Sequence, residues 1–334
     1  MNEIQQNQTF DAFTNLDGTN YRIEGQINIP QLTNKLEQMG IKAIELTQLW
    51  RNVTGKVEYE GRPRFFKMAS TEAIGQKIKN EVDWNNFANS EFVESVLKVP
   101  KIIKTGRVDG LFYYLAEFVE GQPLAAKNYG GTGFEILNFA PNIPQVSIFA
   151  AELQNYSYLN FSDQSSYQLS EDRSLSSEAQ TKILMDKVNS FIQPVSVIGT
   201  SLEKQVNLVK ENIDDWKYCI NHADFTPWHV LESNSGQLYL IDGEHASLKP
   251  DFYDIAYFYH RTFTQAERPD LAEEFLQLTF SKLNSEKQAL FTKQFPSVIA
   301  SRIIGGYFDT VNDKVTDFSF HHQLKNLLEE GVIF

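Results

Sequence analysis

Between Ile41 and Val119 the chain reads as short strands, and beyond Gly121 mainly as helices; that step limits the possible folds more than any other feature. IKAIELTQLW, KVEYE and RFFKMA, within 41–69, are apolar or alternating runs separated by RNVTG and GRP, which carry turn chemistry. The spacing predicts three antiparallel strands. A helix is predicted over 71–89, then two more strands, VPKIIKTGRV (99–108) and LFYYLAEFV (111–119), joined at Asp109-Gly110. Together these make a five-stranded sheet with one helix inserted after its third strand. Upstream, IPQLTNKLEQM (29–39) predicts a short helix ended by Gly40. Downstream, QVSIFAAELQNYSYL (145–159), KILMDKVNSFI (182–192) and SLEKQVNLVKENI (201–213) carry helical periodicity, and helices dominate again from about 253. The serine-rich stretch 162–178 reads as an exposed loop. Two short strands, WKYCI (216–220) and QLYLID (237–242), bracket the polar segment HADFTPWH. The fold class is α+β: a sheet-rich lobe over 1–120 with an N-terminal extension, and a larger helical lobe over 121–334. A ligand pocket is expected between them.

A chain of 334 residues with 42% hydrophobic and 22% charged content can bury its core without staples. Its net charge of −13 argues against nucleic acid as a partner, because that affinity rests on Lys and Arg neutralising phosphates. The single cysteine, Cys219, excludes an internal disulfide. No apolar run is long enough to span a membrane, and MNEIQQNQTFDAF has no secretory pattern, so the expectation is a cytoplasmic protein.

The densest polar constellation is His222, Asp224, His229, Asp242, Glu244 and His245. Asp242 ends the apolar run LYLID, and a carboxylate at a strand end points into the space beyond the sheet. Two carboxylates converging there from neighbouring strands suit Mg²⁺ or Mn²⁺. The competing reading is a solvated acidic loop with satisfied histidines. A second constellation lies in the sheet. Alternation puts Lys67 on the same face as Phe65, with Phe66 and Met68 opposite. In the next helix Ile74, Ile78 and Val82 form a stripe, and Glu81 falls on or beside it. A charge on a buried face needs a partner, and Lys67 is the candidate; the alternative is a glutamate exposed at the rim.

In this order the parts resemble the protein-kinase-like fold, and within it the aminoglycoside phosphotransferase and choline kinase family. The motifs are Lys67, Glu81, the hinge AEFVEGQPL (116–124), HADFTPWH (222–229), LIDGEHA (240–246) and KPDFYDIAYF (249–258). The resemblance spans about 41–260. It implies an ATP-dependent small-molecule kinase, with GTP as the alternative nucleotide. Lys67 would hold the α- and β-phosphates and Glu81 would hold Lys67. The Glu117 carbonyl and the Val119 N–H would meet adenine. Asp224 would orient the acceptor hydroxyl and take its proton, Asp242 would ligate the metal, and Asp254 would brace the catalytic loop. His222 is a structural loop residue in that scheme, and Glu244 a neighbour of the metal.

Two positions depart from the family pattern. His229 stands where the family has a metal-binding Asn, and an imidazole suits Mn²⁺ better than Mg²⁺. RNVTG carries a single glycine, Gly55, so phosphate capping would fall to backbone N–H groups of 52–55. Two other functions compete: a kinase-like nucleotide-binding protein with weak or lost activity, motivated by His229, and a metal-dependent hydrolase built on His222, Asp224, His229 and His245. The acceptor is a hydroxyl-bearing small molecule of the aminoglycoside, choline or sugar type, and the acidic balance favours a cationic one.

Overall fold

The computed structural model describes residues 25–127, 134–156, 177–196, 198–312 and 316–333. Helix α1 (Ile29–Gln38) starts at Asn28, whose side chain accepts from the Gln31 N–H, and ends before Gly40 at φ +74°. Strands β1 (Ile41–Leu49), β2 (Asn52–Tyr59) and β3 (Arg62–Ala69) form hairpins, and α2 (Glu72–Glu91) follows, capped by the Thr71 hydroxyl. After the two-residue β4 (Leu97–Lys98) come β5 (Ile102–Val108) and β6 (Leu111–Glu117). The five-stranded sheet has the antiparallel order β1-β2-β3-β6-β5. Its two faces follow the alternation of β3. Phe66 and Met68 pack with α1, while Phe65 and Ala69 pack with Ile74, Ile78 and Val82 of α2.

One turn lies elsewhere than the sequence suggests. Asn52 to Gly55 are not a loop: they pair with both β1 and β3, so the hairpin turns at Trp50 and Arg51 alone. Gly55 is required because a β-carbon there would lie 1.9 Å from the Glu45 carbonyl oxygen, beside the bulge in β1. Residues 52–55 are thus committed to the ladder, and the β1–β2 turn is Trp50–Arg51, with Trp50 at φ +52°.

The helical part begins after the short strands β7 (Gly121–Pro123), β8 (Ala125–Lys127) and β9 (Phe134–Ile136). It comprises α3 (Ile143–Asn155), α4 (Ser177–Ser196) and α5 (Glu203–Asn212). Four short strands follow: β10 (Tyr218–Asn221), β11 (Val230–Ser233), β12 (Leu238–Leu240) and β13 (Ser247–Pro250). The described chain closes with α6 (Tyr253–Thr264), α7 (Pro269–Lys282), α8 (Ser285–Asn312) and α9 (Ser319–Glu329). Most of the predicted loop 162–178 lies outside the described residues, and α4 starts at its last two positions. The larger core reaches back into the sheet-bearing half: Trp84, Phe87, Leu97 and Val99 pack with Leu124 and the helices. The small sheet β4-β12-β11-β7 bridges the same boundary, since β12 pairs in parallel with β4. Together these fix β12, and the Asp242 beyond it, against the end of α2. Among the described residues no helix is long and apolar enough to cross a membrane.

Candidate active site

One ammonium group gathers the site. Lys67 Nζ lies 2.7 Å from Glu81 Oε2, 2.8 Å from Asp242 Oδ1 and 3.4 Å from Glu244 Oε2. Strand alternation aims Lys67 at α2, and the Ile74–Ile78–Val82 stripe turns Glu81 toward it; Glu81 is buried, so the exposed-rim alternative does not hold. Burial alone would lower the Lys67 pKa, but Asp242, Glu81 and Glu244 outweigh it and hold it well above its ordinary value. Burial pushes the Glu81 carboxyl up to about 7 against the pull of Lys67. For Asp242 the attraction of Lys67 and His229 overcomes burial and keeps the carboxyl ionised.

The backbone around Asp242 is fixed from both sides. Asp242 itself is left-handed at φ +64°, and Gly243 lies against the Trp84 ring, where a β-carbon would approach Cδ1 to 2.1 Å. Asn80 of α2 donates to the Glu244 and Ala246 carbonyls at 3.1 and 2.7 Å. Glu244 also takes a buried ion pair from Arg51 Nη2, which ties the Trp50–Arg51 turn down onto the site. Neither Arg51 nor Asn80 stands out in the sequence. Arg51 sits in a stretch that reads as turn chemistry, and Asn80 is a polar residue in a mixed helix.

The loop carrying Asp224 hangs from Asp254. The His222 and Ala223 N–H groups donate to the two Asp254 oxygens at 2.6 and 2.8 Å, with Ala223 at φ +63°. Burial pushes the Asp254 carboxyl up to about 7 against those two donors. His222 is fully buried, edge-on to Trp84, with Nε2 3.0 Å from the Ile241 carbonyl; burial lowers its pKa to about 3. It is a neutral packing residue. Burial, assisted by Asp242, raises the Asp224 pKa.

His229 stands between the two key aspartates. Its Nδ1 lies 2.8 Å from the Asp224 carbonyl, which only an Nδ1–H can satisfy. The other nitrogen therefore faces Asp242 Oδ2, at 3.6 Å, as a lone pair when the ring is neutral. Lone pair and carboxylate facing each other call for a cation or a proton between them. Asp224, His229 and Asp242 each offer a ligand atom within 4.8 Å of one another, as do Glu81, Asp242 and Glu244. Carboxylates outnumber Lys67 and Arg51 here, so the donor set fits a hard divalent cation. His222 and His245 belong to neither group; the four-residue set that a hydrolase would use is not assembled.

The predicted hinge residues follow from β6, the neighbour of β3, where Glu117 pairs with Arg64. Glu117 ends β6, with its N–H donating to the Lys101 carbonyl at 2.9 Å, and half-buried Val119 lies in the link to β7. Three further residues behind Asp224 were not singled out by the sequence. Tyr257 hydrogen-bonds the Asp224 carboxylate, and Arg261 and Arg302 pack on the Tyr257 ring. The one sequence signal for Arg302 is its place within the otherwise apolar VIASRIIGGY.

Known structures share this architecture. An apo thermostable mutant of aminoglycoside phosphotransferase APH(4)-Ia superimposes with a TM-score of 0.59 at 12% identity, covering 90% of this chain and 99% of that one. A thermostable mutant of the same enzyme, in a ternary complex with AMP-PNP and hygromycin B, gives 0.57 at 14% identity, covering 91% and 99%. Spectinomycin phosphotransferase APH(9)-Ia, in complex with ADP and spectinomycin, gives 0.52 at 14% identity, covering 90% and 93%. At these identities the likeness is one of fold, here the two-lobed protein-kinase-like fold. No curated protein matches the sequence. The model of the phosphotransferase enzyme family matches residues 42–288, most of the chain and every motif of the site, and the chain belongs to that family.

Proposed function

We propose that this phosphotransferase moves the γ-phosphoryl group of ATP to a hydroxyl of a small molecule, with GTP as the alternative donor. The observation that carries the reading is the Lys67 ammonium, bonded at once to Glu81 of α2 and to Asp242, which lies 175 residues further along the chain. Nothing in packing alone calls for a buried lysine with that partner set, whereas phosphoryl transfer needs a fixed cation at the phosphates.

In this scheme Lys67 engages the α- and β-phosphates and Glu81 holds it in place. The Glu117 carbonyl and Val119 N–H receive the base. Asp242 and His229 hold Mg²⁺ or Mn²⁺, and the bound ion supplies charge neutralisation on the phosphates. Asp224 orients the acceptor hydroxyl and accepts its proton; its raised pKa suits that work. The Arg51–Glu244 tie keeps the β1–β2 turn over the phosphates.

Calorimetry with AMP-PNP and Mg²⁺, wild type against Lys67→Ala, tests the nucleotide reading. Binding by the wild type and its loss in the variant are expected; no heat at millimolar nucleotide sinks it. A second reading, a nucleotide-binding protein with little transfer, draws on the His229 ring lying 3.5 Å from Asp224 Oδ2, where it can engage the base. Transfer that appears only in His229→Asn would favour it.

A further inference from the structure

Behind Asp224, on the side away from Lys67, the charge changes sign. Tyr257 of α6 bonds Asp224 and accepts from Arg261 Nη2 at 3.1 Å. The Arg302 guanidinium of α8 lies 4.1 Å from the Tyr257 ring centre, and its Nη1 donates to the Tyr253 hydroxyl at 2.9 Å. Arg261 and Arg302 are each only 7% exposed. Their buried nitrogens are not used up: Arg302 Nε, Arg261 Nε and Arg261 Nη1 have no hydrogen-bond partner. Lys187 of α4 and Lys249 of β13 border the same cluster, since both act on Tyr253. Asp309 pairs with Arg261 at 2.6 Å. Among the described residues no carboxylate forms an ion pair with Arg302, Lys187 or Lys249.

Guanidinium groups with orphaned N–H donors are costly to bury and are rarely left so in a folded protein. Stacking on tyrosine explains their orientation and leaves the donors unmet. The cluster reaches the base through the single Tyr257 hydroxyl, so it borders the place where a molecule presenting a hydroxyl to Asp224 would sit.

We infer that the acceptor carries an anionic group, a carboxylate or a phosphate, received by Arg302 and Arg261 with Lys187 and Lys249 at the border. The inference rests on the kinase reading for the identity of the pocket and goes beyond it in the charge of the substrate. It also reverses the cationic acceptor suggested by the net charge of the chain, because a ligand meets the local field and not the total. The titration behaviour agrees. Burial would raise the Tyr253 phenol, but Arg302, Lys187 and Lys249 outweigh it and lower its pKa. Burial, Arg302 and Lys249 together push the Lys187 ammonium down.

The test is calorimetry on the full chain saturated with AMP-PNP and Mg²⁺, so that Lys67 is already engaged. Four hydroxyl-bearing probes of similar size are titrated: glycerate, glycerol 3-phosphate, glycerol and choline. The two anions are expected to bind better than glycerol and choline. Tighter binding of glycerate assigns a carboxylate, and tighter binding of glycerol 3-phosphate a phosphate. Arg302→Gln is expected to weaken the anions by about tenfold or more, as for loss of a charge-assisted pair. Lys187→Met and Lys249→Met, at half-buried positions, are expected to weaken them by a few-fold. Choline binding above both anions, no anion binding at millimolar concentration, or anion affinity unchanged in all three variants overturns the inference. If AMP-PNP itself fails to bind, the kinase reading has failed; the three variants then decide the anion question on nucleotide-free protein, since none of them touches Lys67.

Discussion

On the Lys67 side of Asp224 three carboxylates converge on one ammonium, and on the Arg302 side cations outnumber carboxylates. The first side gathers Glu81, Asp242 and Glu244 around Lys67, with Arg51 paired to Glu244 and Lys77 nearby. The second holds Arg261, Arg302, Lys187 and Lys249 against Asp309 and Asp254. Lys67, Glu81, Glu244, Arg261 and Arg302 are buried, so water relieves little of either arrangement. In the proposed scheme, three carboxylates around one ammonium receive a metal with its phosphates. The guanidinium groups with orphaned donors receive the anion in the inference above. Asp224 sits where the two meet, and the whole-chain charge of −13 predicts neither.

The largest effect expected falls on that meeting point. Asp224→Asn removes the proposed base and leaves both clusters in place. Transfer to the acceptor should fall by about 10²-fold or more, with AMP-PNP affinity nearly unchanged. Turnover close to wild type would break the division into two sides with a base between them. Next comes Lys67→Ala, which strips the carboxylate side of its ammonium. AMP-PNP binding should weaken by about tenfold or more, and unfolding should cost about 3 kcal/mol less, as when a buried ion pair loses one partner. Glu81→Ala should show a milder version of both. A stable Lys67→Ala with normal nucleotide affinity would mean the ammonium is not the organiser.

A few-fold effect is expected at His229. If its Nε2 is a ligand, the wild type should work better with Mn²⁺ than with Mg²⁺, and His229→Asn should move the preference toward Mg²⁺. Activity assays across the two metals measure it. An unchanged preference would leave His229 as a loop residue held by the Asp224 carbonyl.

Much of the carboxylate side is legible in the sequence, and almost none of the cationic side is. The reason is the range of the contacts. Lys67 interrupts an apolar strand and Glu81 falls beside an apolar helix stripe, so local period alone marks each as a buried charge in need of a partner. Asp242 ends a strand whose alternation is plain. Arg302, by contrast, matters only because α8 packs against α6, and a helix period does not say which helix it meets. That approach depends on Gly306, where a β-carbon would lie 2.2 Å from the His260 ring. The sheet was readable because its strands are seven to nine residues long with turns at Gly61 and Gly110. The two- to four-residue strands β4, β7 and β11 carry too few alternations to register. Trp50–Arg51 was missed because RNVTG contains turn-favouring residues that the structure spends inside β2.

The smallest effect comes from a third charge cluster, which tests whether burial or partner number sets the scale. Glu329 of α9 has as many partners as Lys67: Lys204 at 2.8 Å, Lys325 at 2.9 Å and Gln205 at 3.1 Å. It is half-buried rather than buried, and its partner Lys204 is 73% exposed. Hydrogen bonds from Lys204 and Lys325 lower the Glu329 carboxyl to about 2. A depressed carboxyl pKa stabilises the fold above the unfolded value and loses that contribution as pH falls through the folded one, here between about 4.5 and about 2. Water and salt screen such a pair, so Glu329→Gln should cost about 0.5–1 kcal/mol near neutral pH. Urea midpoints of wild type and variant should converge on acidification through that window, and molar salt should close the gap at neutral pH. A neutral-pH gap as large as that of Lys67→Ala would mean that partner number outweighs burial, and the contrast between the two sides of Asp224 would then need another cause.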